Sequence, residues 1–185
     1  MPRILGISGS LRRDSHNTSL LRAVAAMLPS GVELELFDGL GELPPYDEDR
    51  DAEPVHPAVA RLRDAIASAD GVLIATPEYN GSIPGVLKNA LDWASRPFPD
   101  NAFRGKPVAV IGASTGLFGA VWAQAEVRKV LGLVGADVID MELPVGMAET
   151  ALQDGQLAEE EQRLALEELV QVLASRADAL AAQAA

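Results

Sequence analysis

Residues 72–93 read V-L-I-A-T-P-E-Y-N-G-S-I-P-G-V-L-K-N-A-L-D-W. The stretch opens with a short apolar run, Val72 to Ala75, containing β-branched residues, as a buried strand should. It closes with Val86, Leu87, Ala90, Leu91 and Ala94, whose spacing marks one face of a helix. Between them lies Pro77-Glu78-Tyr79-Asn80-Gly81-Ser82, a loop where the carboxyl end of a strand hands over to a helix. In open α/β sheets ligands bind at such ends. The expectation is that this loop touches the reactive part of a bound cofactor.

Outward from that unit, strands and helices alternate. Arg3 to Ser8 reads as a first strand. A helix follows, capped by Ser15 or Asn17 and carrying Leu20, Leu21, Val24, Met27 and Leu28, with Pro29 and Gly31 ending it. Val32 to Phe37 alternates apolar residues with Glu33 and Glu35, the pattern of a half-exposed edge strand. Residues 38–57 form a long connection rich in Pro and acid, expected to be functional or mobile. Val59, Leu62 and Ile66 give a second helix, and Val108 to Ile111 a fourth strand running into Gly112-Ala113-Ser114-Thr115-Gly116. Val127, Leu131 and Val134 mark a fourth helix, Ala136 to Ile139 a fifth strand, and Leu157 to about Ala182 a long final helix. Alternation of this kind implies a parallel sheet with helices on both faces. Five strands suit the doubly wound order 2-1-3-4-5, as in flavodoxin, where the flavin sits at the switch between strands one and three. With no repeat and no linker, residues 1–185 read as one domain.

Composition narrows the function classes. The 185 residues contain no cysteine, so disulfides, thiolate metal sites and cysteine nucleophiles are excluded. A formal charge of −12 argues against nucleic acid and anionic membranes as partners. Two histidines are too few for a His-rich metal cluster, and the acidic runs at 47–49 and 159–161 read as solvated surface. No run approaches the ~20 apolar residues that span a bilayer. The default is a soluble cytoplasmic protein without a metal.

Three loops at strand ends carry the unusual chemistry. The first, Gly9 to Ser19, is packed with small hydroxyl and amide residues leading into a helix, whose unpaired N–H groups favour a phosphate. Ser10, Ser15, Asn17 and Thr18 can add donors and Arg12 a fork-shaped cation. It fits neither the Walker loop nor G-x-G-x-x-G, and a metal-free monophosphate suits it better; an ordinary capped helix start is the plainer alternative. His16, without an evident carboxylate partner, reads as a loop residue. In the third loop Tyr79 offers a ring wall and the backbone offers N–H groups, although Asn80-Gly81 is also a common turn. Lys88 and Asp92 read as a surface ion pair. The last loop, Gly112 to Gly116, matches the G-x-S-x-G nucleophile elbow. A hydrolase of that kind places its His after the Ser, whereas His16 and His56 both precede Ser114, so a close backbone approach to a ligand is preferred.

Taken together, Gly9-Ser10-Leu11-Arg12-x-x-Ser15-x-Asn17 and Thr76-Pro77-Glu78-Tyr79-Asn80-x-Ser82-x-Pro84-Gly85-x-Leu87-Lys88-Asn89-Ala90-x-Asp92-Trp93 resemble the NADPH-dependent FMN reductase family, a flavodoxin-like group that includes chromate and quinone reductases. Gly105-Lys106-Pro107 and Ser114-x-Gly116-x-x-Gly119 fit as well. The resemblance implies a non-covalent FMN. Ser10, Arg12, Ser15, Asn17 and Thr18, with His16 in the same loop, would hold its phosphate. Pro77, Glu78, Tyr79, Asn80 and Gly81 would support the isoalloxazine, and Ser114, Thr115 and Gly116 its far edge. Two departures stand out: His16 occupies a place where an aromatic residue is common, and Trp122 one where relatives often carry Arg.

The implied reaction passes hydride from NADPH or NADH through the flavin to a quinone, chromate, an azo compound or free flavin. The cofactor carries that chemistry, so no catalytic acid–base pair is expected of the protein, and Glu78 is expected to act through its backbone. A homodimer or homotetramer with the site near a subunit interface is implied too. The rival classes are a flavodoxin-type electron carrier without NADPH turnover and a serine hydrolase using Ser114.

Overall fold

The computed structural model describes residues 2–153 and 155–184. Strands β1 (Arg3–Ser8), β2 (Glu33–Phe37), β3 (Gly71–Thr76) and β4 (Pro107–Ala113) alternate with helices α1 (His16–Ala25), α2 (Pro57–Ser68), α3 (Gly85–Ala94) and α4 (Val121–Leu133). The sheet is parallel, with order β2-β1-β3-β4-β5, where β5 is Asp137–Val138. This is the doubly wound flavodoxin-like order that the alternation predicts.

Successive strand residues point to opposite faces, and the helices sort accordingly. Leu5, Ile7, Val72, Ile74, Val108 and Val110 meet α2, α3 and α4 through Leu62, Leu87, Leu91, Val127 and Leu131. Ile4, Leu73, Ala75, Ala109 and Ile111 meet α1 and a long helix α6 (Glu160–Ala184) through Leu20, Leu21, Leu166, Leu169 and Leu173. Every residue of β3 and β4 is buried, as the apolar runs predict for central parallel strands. Burial of each such Leu or Ile side chain contributes roughly 1.5–3 kcal/mol. The edge strand β2 leaves Glu33, Glu35 and Leu36 exposed.

Two expectations need correction. The fifth strand is not the continuous run 136–139. It is split into β5 and β6 (Pro144–Val145), which pair with the lower and upper parts of β4. Between them the buried Gln124 amide takes the place of a ladder partner, accepting the Leu143 N–H at 3.3 Å while donating to the Gly119 carbonyl at 3.0 Å. The loop swings Glu142 outward to pair with Arg128. The final helix begins at Glu160 rather than Leu157, because a short helix α5 (Ala148–Ala151) and a hairpin, β7 (Leu152–Gln153) with β8 (Gln156–Leu157), precede it.

The 38–57 connection is tied down. The Pro44 carbonyl accepts from Asn89 Nδ2 at 2.9 Å and Trp93 Nε1 at 2.8 Å, and the Tyr46 ring meets Trp93 edge-on at 5.0 Å. Arg63 pairs with Asp51 at 2.8 Å, both largely buried, and also donates to the Trp93 carbonyl. The connection expected to be functional or mobile is thus tied to α2 and α3, with single 3-10 turns at Leu40–Glu42 and Glu48–Arg50. At the opposite, amino end of the sheet Lys106 is buried and donates to the Ala67 carbonyl at 3.1 Å and to that of Ala69, closing the end of α2. Burial lowers its pKa from the ordinary lysine value, and neighbouring Asp70 offsets part of that effect.

Candidate functional site

The three loops singled out in the sequence converge at the carboxyl ends of β1, β3 and β4. They line one cleft of about 120 Å³ with Ser10, Arg12, Ser15, His16, Asn17, Pro77, Glu78, Tyr79, Ala113, Ser114 and Thr115. Size alone does not select this place. A hollow of about 580 Å³ between α6 and residues 29–32 is larger, yet its charged lining is a single carboxylate, Asp178. The convergence of polar loops at a topological switch point marks the smaller cleft.

Ser15 is the N-cap of α1, its side chain accepting the Thr18 N–H at 3.3 Å. That leaves the N–H groups of His16 and Asn17 without a protein partner among the described residues, facing the cleft at the positive end of the helix. Arg12 is exposed, and its guanidinium forms no ion pair among the described residues. Gly9 lets the loop close on its neighbour: an added Cβ would lie 3.0 Å from Leu87 Cδ2 and 3.2 Å from Pro77 Cδ.

Two first-loop residues are committed elsewhere. The Asn17 side chain is buried, donating to the Ala113 carbonyl and accepting the Ala113 N–H, both at 2.9 Å. It ties the first loop to the end of β4, so only its main-chain N–H is available to an anion. Thr18 does not line the cleft. Its hydroxyl donates to Ser8 Oγ at 2.9 Å, and it lines a separate hollow of about 310 Å³ beside β2. Half-buried, it supports the loop through this bond, and the hollow it lines adjoins the cleft at Ser10.

The Tyr79-Asn80-Gly81-Ser82 segment is a two-residue hairpin. Tyr79 and Ser82 exchange both backbone hydrogen bonds at 3.2 Å, and Asn80 (φ 55°) and Gly81 (φ 73°) supply the positive φ values such a turn requires. Asn80 and Gly81 lie at the exposed tip beyond the enclosed lining, beside the exposed Tyr79. Glu78 turns the other way. Its Oε2 accepts from the N–H groups of Trp122 at 3.0 Å and Ala123 at 3.1 Å, in the first turn of α4. That helix has no cap of its own, because Ala120 stands at its N-cap with φ 61°. A carboxylate at a site suited to anions is therefore matched by a helix dipole. Both recorded contacts fall on Oε2 and fasten the hairpin to α4.

The 114–119 loop is locked by backbone contacts. Ser114 N–H donates to the Val145 carbonyl, Met147 N–H to Gly116 and Ala148 N–H to Ser114, each at 3.0 Å. At Gly119 (φ 56°) and Gly146 an added Cβ would overlap the backbone of Pro144 and Leu117 respectively. Ser114 Oγ accepts the Gly116 N–H at 3.1 Å, and Gly116 is exposed and does not itself line the cleft, as Ser114 and Thr115 do. Ser114 and His16 line the same cleft, but no hydrogen bond joins them among the described residues, so a nucleophile pair is not assembled. Among the described residues, the non-glycine residues with positive φ are Asn80, Ala120 and Met147, and all three border this region. Backbone strain of this kind clusters at ligand sites.

Glu126 escaped the sequence reading. From the second turn of α4 its Oε2 accepts from Ser82 Oγ at 2.6 Å and Ile83 N–H at 3.2 Å. The Ser82 hydroxyl, then the Ile83 N–H, hold its carboxyl below the ordinary pKa. Its only sequence signal is position, one turn beyond Trp122.

The fold is flavodoxin-like, and its cleft sets a helix start with open N–H groups beside an exposed turn. Residues 2–150 match the family described as NADPH-dependent FMN reductase, and the chain belongs to that family. It is 43% identical over 173 residues to an NAD(P)H-dependent FMN reductase of Pseudomonas aeruginosa, covering 92% of each chain. It is 48% identical over 143 residues to a 2-hydroxy-1,4-benzoquinone reductase of a Burkholderia species, covering 77% of this chain and 75% of that one. Among solved structures, the flavoenzyme NAD(P)H:(acceptor) oxidoreductase FerB of Paracoccus denitrificans superposes with a TM-score of 0.83 at 37% identity, covering 96% of this chain and 98% of that one.

Proposed function

We propose that the cleft holds FMN and that the chain is an NAD(P)H oxidoreductase delivering electrons to a small acceptor, of which a quinone is the best supported. The observation that carries this reading is the open end of α1: two unpartnered N–H groups, Arg12 and the Ser10 hydroxyl meet in one cradle, with the Tyr79 hairpin beside it. These residues fit a phosphate with a planar ring attached. The volume of about 120 Å³ is below the roughly 300–1,000 Å³ of a typical small-ligand pocket, so it encloses only part of a molecule as large as FMN.

When bound, FMN supplies the hydride chemistry between NAD(P)H and the acceptor. The residues of the chain supply position and field. His16 and Asn17 main-chain N–H groups, with Ser10 and Arg12, hold the phosphate. Pro77 and Tyr79 wall the ring, and the exposed main chain at Asn80 and Gly81 offers N–H donors to its polar edge. The fastened 114–116 segment provides the opposite edge, where fixed donors stabilise developing negative charge without reorganising. Quinone acceptors are favoured because the relatives named above include a benzoquinone reductase, with a known quinone reductase of Escherichia coli 39% identical over 139 residues.

The same reading takes 1–185 as one domain, since α6 packs Leu166, Leu169 and Leu173 under the sheet that carries the site. It takes the chain as a cytoplasmic homodimer or homotetramer. Support for assembly comes from Leu117, Phe118, Trp122 and Met147, which lie half or more exposed beside the cleft, with Phe118 and Trp122 rings 5.1 Å apart. No described helix is long and apolar enough to cross a membrane.

The decisive experiment is purification followed by an absorption spectrum. A yellow protein that releases FMN on denaturation and oxidises NAD(P)H with a benzoquinone supports the proposal. A colourless protein that takes up no added FMN overturns it. Retention of FMN without NAD(P)H oxidation assigns a flavodoxin-type carrier instead. Light scattering tests the assembly, with a monomer as the contrary result.

A further inference from the structure

We propose that Glu78 and Glu126 form a reciprocal clamp that sets the pose of the 77–83 hairpin, and that both are positioning residues for the flavin; the role toward flavin rests on the FMN reading above. Each carboxylate crosses the same gap in the opposite direction. Glu78 leaves the hairpin and takes two N–H groups of α4, those of Trp122 and Ala123. Glu126 leaves α4 and takes the Ser82 hydroxyl and the Ile83 N–H at the far foot of the hairpin. One carboxylate thus holds each side of the turn.

The physical need for such a device is visible in the hairpin itself. It contains a single bridged pair, Tyr79 and Ser82, and its tip is exposed. A lone two-residue hairpin is marginal in water and frays readily. The helix end has the complementary need, since Ala120 offers it no side-chain cap and its first turn contains no acid. Charge-assisted hydrogen bonds across the gap meet both needs at once. They also couple the two walls of the cleft, because the residues before α4 are the locked 114–119 loop. The clamp therefore fixes the hairpin relative to the Ser114 side, which is the separation a planar ring must match.

Reciprocity separates this assignment from two unrelated surface contacts. If the clamp is one unit, removing either carboxylate loosens the partner contact that it does not touch. Glu126→Ala is expected to speed amide exchange at Trp122 and Ala123, and Glu78→Ala at Ile83, each about tenfold or more in protein without FMN. FMN affinity, read by quenching of flavin fluorescence, is expected to fall roughly 10–100-fold in each single variant. The double variant should fall little further than either single one. Glu126→Gln, which keeps an acceptor oxygen on an exposed residue and leaves folding intact, should recover part of that affinity.

Exchange changes confined to the amides that each deleted carboxylate touches would overturn the clamp. So would a lower melting temperature with unchanged FMN affinity, which would make both residues structural only. A wild-type protein that takes up no FMN overturns the FMN reading instead, and the exchange experiment still decides whether the two contacts are coupled.

Discussion

Two helices point their amino ends at the cleft, and they are finished in opposite ways. The start of α1 is capped by its own Ser15, which satisfies the Thr18 N–H and leaves those of His16 and Asn17 open. The start of α4 lacks a local cap and is closed by Glu78 from another loop. Identical partial charges thus have different uses. One helix end leaves its N–H groups open, and in the proposed reading these take the FMN phosphate; the other is spent on an internal carboxylate. A site that presented both ends to solvent would attract phosphate in two places. Closing α4 makes the Glu78 carboxylate a fastening between the hairpin and that helix.

The largest expected effect breaks the closed side. Gly119→Ala places a Cβ inside the Pro144 backbone at a φ of 56°, combining overpacking with left-handed strain. A loss of about 3 kcal/mol is expected, seen as a lower midpoint in urea unfolding. An unchanged midpoint would show that the 114–119 loop is not locked to residues 144–148. The next effect breaks the open side. Arg12→Ala removes an exposed cation without an ion-pair partner among the described residues, so folding should be unchanged while FMN affinity falls roughly 10–100-fold. The lost increment should shrink as salt is raised, since Arg12 is exposed. Equal FMN affinity in Arg12→Ala and wild type would move the phosphate away from this helix end.

The difference between the two ends also explains what the sequence reveals. The open end is local: Ser15, three residues before the N–H that it accepts, is an ordinary cap pattern. The central strands are equally plain, because continuous apolar runs such as Val72 to Ala75 describe burial on both faces. The closed end is non-local. Glu78 meets Trp122 across 44 positions, Glu126 meets Ser82 across 44, and Asn17 meets Ala113 across 96. No period or spacing encodes such pairs, which is why Asn17 reads as a free donor and Glu126 goes unnoticed. The split fifth strand and the β7–β8 hairpin were hidden for a related reason. Two-residue strands have no alternation to detect, and their register is set by partners elsewhere in the fold.

A gentler change sharpens the comparison. Glu78→Gln keeps an acceptor oxygen for Trp122 and Ala123 but removes the charge facing the α4 dipole. The expected cost is about 0.5–1 kcal/mol of stability, with FMN and reductase activity retained. Complete loss of activity in a variant that still binds FMN would assign Glu78 a proton-transfer role, and the contrast between open and closed helix ends would no longer account for it.

The smallest effect concerns pH at Glu126. Its carboxyl is held below its ordinary pKa first by the Ser82 hydroxyl, then by the Ile83 N–H, with Lys129 adding to the effect. A group depressed in the folded state binds fewer protons there than in the unfolded chain. Its contribution is therefore present above the unfolded carboxylate pKa and is lost as pH falls through the lowered folded value. Wild type and Glu126→Gln should differ in melting temperature near neutral pH, and the difference should close below the ordinary glutamate range. A difference that persists undiminished in acid would mean that the contact depends on shape rather than on charge. The Glu126 half of the clamp would then rest on hydrogen-bond geometry rather than on its charge.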